Sequence, residues 1–202
     1  MPPDPHPEHQ QWRDDLIKIS SRLGNLMGDR TAFEHVRTMV GRNSDLNPHQ
    51  GQFPARLARW YVNHICVGIR TLVDIDPRTI SLYRLLTELI DRPAALASVS
   101  PTGRKVSVEE IENDRTALKN VSQRVTHMVN TEIGHMDRKG YQKLAWPTFQ
   151  EVTDCLAESE KVLQKYWSLV FATHLVSAEP VDTLDWTQQF RFAWYTPPPT
   201  AT

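Results

Sequence analysis

The chain has 202 residues, 23% of them charged, with a net charge of -1. That length can bury a core without disulfides or metals. The near-zero balance excludes a general electrostatic field drawing the chain onto nucleic acid or acidic lipid, and no apolar run is long enough for a membrane span.

Residues 1–11 are polar and rich in Pro and His. They lack the basic-then-apolar order of a signal peptide and are expected to be flexible. A helix is predicted from near Pro7 to about Met27, because Trp12, Leu16, Ile19, Leu23 and Leu26 recur at three- and four-residue steps. Gly28 and Asp29 are expected to interrupt it, with a short second segment over 31–41. Residues 43–51 read as a polar loop.

The next helix is predicted from about Pro54 to Asp74, with Leu57, Tyr61, His64 or Ile65, Gly68 and Leu72 as its stripe. Gly68 costs about 1 kcal/mol relative to Ala in a helix, which points to close approach of another helix. Asp76-Pro77 reads as a helix start running to about Asp91. Residues 94–105 form a connector. Ser107 begins a long helix, with Glu110 placed three residues on as in a capping box. Its apolar stripe runs through Ile111, Leu118, Val121, Val125 and Met128 to Ile133 and His135. Trp146-Pro147-Thr148 starts the last long helix, in which Phe149, Leu156, Leu163 and Val170 recur every seven residues beside Val152 and Tyr166.

These elements predict an all-α fold, an antiparallel up-and-down bundle of about five helices spanning 12–174. Residues 175–202 carry Trp186, Phe190, Trp194 and Tyr195 and read as an extended aromatic arm and tail. Cys66 and Cys155 sit in amphipathic segments without a C-x-x-C pattern. They read as buried free thiols of a reduced compartment, so a cytoplasmic location is expected.

The stretch from His127 to Asp137 ends the fourth helix with a histidine preceded by Gly134 and followed closely by an acid. His135 lies two heptads from Val121, in line with Met128, so its imidazole is expected to face the bundle or a second subunit. Upstream, Arg59-Trp60-Tyr61 leads into Gly68-Ile69-Arg70 and Asp74, and the chain closes on Asp185-Trp186, Phe190 and Trp194. In this order the pieces resemble the HEPN superfamily of small helical bundles, in particular its abortive-infection AbiU-like branch.

The resemblance implies a homodimer whose late helices face each other, with Met128, Val129 and Glu132 at the interface. It also implies metal-independent RNA cleavage by an arginine and a histidine, with the 2′-hydroxyl as nucleophile and no cofactor. The family histidine maps to His135 and the polar residue after the arginine to Asn130. The arginine itself maps to Val129, and Arg70 is the candidate to supply the charge instead. Arg138 and Lys139, with Lys143, would attract RNA or nucleotide phosphates, or form a solvated loop. A cognate antitoxin is the partner that such a toxin implies.

Plainer readings stand beside these. His135 could be structural, serving the helix C-terminal dipole or pairing with Glu132. Arg70 and Asp74 could be only an i,i+4 ion pair. Asn63 and His64 read as buried polar neighbours. Glu132-x-x-His135 has the spacing of di-iron bundles, but no second copy exists in the chain, so no metal site is expected. No phosphate loop, nucleophile elbow or zinc cluster is present in the sequence. Two functions therefore remain: a dimeric RNase-type toxin or phage-defence effector, and a non-catalytic HEPN-like module that dimerises or binds a partner, nucleotide or RNA.

Overall fold

A computed structural model describes residues 7–42, 52–93, 105–133 and 146–179. They form five α-helices: α1 (Pro7–Arg42), α2 (Gln52–Leu72), α3 (Leu82–Asp91), α4 (Val108–Met128) and α5 (Phe149–Phe171). There is no strand among the described residues. The all-α bundle expected from the heptad and helical spacings is therefore the observed fold.

The helices bury one continuous apolar core. From α1, Trp12, Leu16, Ile19 and Leu23 are fully buried, and they meet Ile65, Ile69 and Leu72 of α2 and Leu156, Leu163 and Tyr166 of α5 within that cluster. Side-chain pairs fix the directions. Phe33 stacks on Tyr61 with ring centroids 4.0 Å apart, while the Leu26 side chain lies where a Cβ on Gly68 would point, so α1 and α2 are antiparallel. Cys155 Sγ donates to the Val121 carbonyl at 3.1 Å and Lys165 pairs with Asp114 at 2.5 Å, so α4 and α5 are antiparallel too. Gly68 thus has the close-packing role that its place in a helix stripe required.

The segment 1–11 expected to be flexible is helical from Pro7 on, and two predicted boundaries move. The first helix does not break at Gly28-Asp29; α1 is a single helix of 36 residues. One glycine costs only about 1 kcal/mol in a helix. The buried Leu26, Met27 and Phe33 anchor both sides of it, and Asp29 binds His64 at 2.8 Å. The other change is the start of α3, which is capped by Ser81 rather than Asp76. Asp76 makes a turn instead, accepting from the Arg78 backbone N–H at 2.9 Å and from its guanidinium at 2.7 Å. Those bonds to Arg78 hold its carboxyl well below the ordinary range. Ser81 Oγ accepts from Arg84 N at 3.0 Å and donates to the Asp74 carbonyl at 2.6 Å.

The starts of α4 and α5 fall where the sequence puts them. Ser107 caps α4 by accepting from Glu110 N at 3.1 Å. Thr148 caps α5 in a full capping box with Glu151, which satisfies two donors of the first turn reciprocally. At the far end, Ala172 adopts a left-handed conformation, φ 56°. The chain then folds back so that the Ala178 N–H reaches Glu160 at 2.9 Å and Thr31 donates to Glu179. The rest of the aromatic arm lies outside the described residues.

Both cysteines are buried free thiols. Burial pushes each thiol well above the ordinary cysteine range, up to about 12. The sign follows directly: the unfolded thiol ionises first, so the native state loses stability as pH rises from about 9 to 12. A chromogenic disulfide at pH 8 is expected to titrate no thiol within minutes in the native protein and two after denaturation. Fast reaction of either thiol in the native state would contradict this burial.

Candidate functional site

The fourth helix does not end as a regular helix. After Met128 the backbone widens into a π-turn, Val129–Ile133. Such turns are rare and often sit at functional positions. Here Thr131 Oγ1 donates back to the His127 carbonyl at 2.8 Å, a side-chain bond that competes with the regular ladder. Val129 is 8% exposed and Met128 2%. Both side chains therefore face the core of their own chain, while the next residue, Asn130, is exposed.

Asn130 meets α2. Arg70 Nε donates to Asn130 Oδ1 at 3.3 Å. The same guanidinium pairs through Nη1 with Asp74 Oδ1 at 3.0 Å, and the two side chains are 23% and 21% exposed. Asp74 Oδ1 is itself held, accepting from the Asp76 backbone N–H at 3.0 Å. The plain i,i+4 ion pair is therefore present, and it does more than cover a helix face. It holds a half-buried guanidinium beside the exposed Asn130 side chain at the start of the π-turn. Arg70 Nη2 has no hydrogen-bond partner among the described residues. A fork with one edge still open is suited to a phosphate oxygen.

Of the residues singled out in the sequence, Arg70 and Asn130 are brought together. His135, Arg138, Lys139 and Lys143 lie outside the described residues, as does the Glu132 side chain. His64 is not a buried polar neighbour: its side chain is 62% exposed and bonded to Asp29, because its helical position points past the α1–α2 contact. Asn63 is half-buried, and its Oδ1 is buried with no partner among the described residues.

A second cluster was not legible in the sequence. The Arg59 guanidinium lies over the Trp146 ring, 5.4 Å from its centroid. Beside it a hollow of about 430 Å³ is lined by Ala58, Arg59, Val62, Trp146, Pro147 and Phe149. Trp60, next in the chain, is 61% exposed. Residues 59 and 146 are distant in sequence, one within α2 and the other just ahead of α5, so no local pattern could pair them.

Among the described residues no group of three or more His, Cys, Asp or Glu could hold a metal ion, and no helix is long and apolar enough to cross a membrane. The HEPN_AbiU2 family model, described as AbiU2, matches residues 14–191. No match was found among curated proteins or among solved structures.

Proposed function

Since the chain belongs to the HEPN_AbiU2 family over residues 14–191, we propose that it is a dimeric, metal-independent ribonuclease of the abortive-infection type. The observation that carries this reading is the 3.3 Å contact between Arg70 and Asn130. The family's arginine position is occupied by Val129, which is buried and carries no charge. Arg70 brings a guanidinium to the same π-turn from the neighbouring helix.

In this reading His135 serves as the general acid/base. Its imidazole exchanges protons near neutral pH. It takes the proton from the ribose 2′-hydroxyl as that oxygen attacks the adjacent phosphorus. The bond to the 5′-oxygen breaks, and the His135 imidazolium returns its proton to that oxygen as it leaves, so the products are a 2′,3′-cyclic phosphate and a 5′-hydroxyl. Arg70 Nη2 binds the non-bridging oxygens whose charge grows in the transition state. Asn130 keeps the guanidinium aimed, and Asp74 holds it from the other side. Arg138 and Lys139 extend the positive surface to flanking phosphates.

The test is incubation of purified protein with single-stranded RNA in excess chelator. Cleavage with 5′-hydroxyl ends, abolished in His135→Ala, is the expected result. No cleavage, or cleavage unaffected by that substitution, would remove the nuclease reading.

One observation favours a second reading. A buried valine at the motif's arginine position is what a binding module without catalysis would carry. That module predicts a stable dimer inert toward RNA, and the same assay separates the two.

A further inference from the structure

The helix α2 has an unusual charge pattern for a chain of net charge -1. Between Gln52 and Leu72 it carries Arg56, Arg59 and Arg70 and no acidic residue. Its positions 56, 60, 63, 67 and 70 follow alternating four- and three-residue steps, so they share one face. That face is uncovered at two apolar positions: Trp60 is 61% exposed and Val67 39%. Arg56 and Arg59 are exposed beside Trp60. At the end of the stripe stands Arg70, held against Asn130. From Trp60 to Arg70 the helix rises about 15 Å.

We propose that this face is a track for single-stranded RNA, with Trp60 as a platform on which a base stacks and Arg56 and Arg59 as phosphate contacts. The proposal rests on the ribonuclease reading for its direction, since the track leads to Arg70. Its own support is separate. Every base has a π-face, so an exposed indole flanked by guanidinium groups binds single strands with little sequence preference. A helix with three arginines and no carboxylate complements a polyanion, whereas a second copy of the same face would bring like charges together. The Arg59 guanidinium, lying over the Trp146 ring at 5.4 Å from its centroid, is held at the edge of this face beside the hollow that Ala58 and Val62 also line.

The test uses the full chain and a fluorescein-labelled oligouridylate methylated at every 2′-oxygen, which lacks the nucleophile and cannot be cleaved. Binding is read by anisotropy across a salt series. Trp60→Ala is expected to weaken binding by about 5- to 150-fold, the range of one lost base stack. Trp60→Tyr should keep most of the affinity and Trp60→Leu should not. Arg56→Gln and Arg59→Gln should each flatten the slope of log K against log salt by about 0.7. Equal affinity of wild type and Trp60→Ala, or no binding by wild type, overturns the track. So does a sedimentation result in which Trp60→Ala turns a dimer into a monomer, because the face then belongs to a second copy. Cleavage of ordinary RNA without Trp60-dependent binding sinks the track alone. Trp60-dependent binding without cleavage sinks the nuclease reading alone.

Discussion

Replacing Arg70 by alanine is expected to slow RNA cleavage by about 10²- to 10³-fold, the usual loss when one donor to a developing oxyanion is removed. The geometry says why a single side chain should matter so much. The guanidinium is tied at Nη1 to Asp74 and at Nε to Asn130, so it is aimed before substrate arrives. The loss should fall on kcat more than on KM, because the interaction grows as charge develops on the phosphoryl oxygens. Arg70→Lys should recover little, since an ammonium cannot span Asp74 and Asn130 while also reaching a phosphate. The fold should survive, because an i,i+4 ion pair contributes only about 0.2–0.5 kcal/mol. Single-turnover kinetics, together with a melting curve for each variant, would check this. Wild-type cleavage by Arg70→Ala would show that the charge comes from elsewhere.

The largest loss of stability is expected from Trp12→Ala, about 3–5 kcal/mol. Trp12 heads the fully buried side chains by volume. It fills the start of α1 where Leu16 and Ile19 continue the same face, and His9 stacks on it with ring centroids 5.9 Å apart. In a chain of this length a loss of that size lowers the melting temperature on the order of 10 °C. Trp12→Phe should lose far less. It keeps most of the apolar area and removes an indole N–H that is buried with no acceptor among the described residues. Ile17→Ala is the control on the same helix, being 51% exposed. Calorimetry of the three variants would decide, and equal melting points for Trp12→Ala and Ile17→Ala would show that α1 starts later than Trp12.

The bundle could be read from the sequence because burial repeats with the helix. Leu156, Leu163 and Val170 recur at heptad spacing, and each is at most 3% exposed. Boundaries were less legible where two signals compete. Gly28 marks a possible stop, yet apolar anchors on both sides outweigh it. Asp76-Pro77 has the chemistry of a cap, but the carboxylate is taken by Arg78, leaving Ser81 to do the capping.

The candidate site was legible one residue at a time. Asn130 followed from the family pattern, and Arg70 was a candidate for its charge alone. Their contact joins α2 to the π-turn, and no spacing along the chain encodes it. The π-turn has no compositional mark either, since one extra residue per turn leaves no periodic trace over five positions. Met128 and Val129 show a further limit. An apolar stripe says that a side chain wants cover, but not whether its own chain or another supplies it.

The crossing of α1 over α2 has a consequence for how this lineage can vary. Leu26 occupies the space that any side chain at position 68 would need, so the two sites share a single allotment of volume. A branch that acquires alanine or serine at 68 should shorten residue 26, and one that keeps a bulky residue at 26 should keep glycine opposite. Arg70 stands only two residues further along, so drift in that pair would also carry the guanidinium away from Asn130. Selection on chemistry would thus act at a contact made entirely of hydrocarbon.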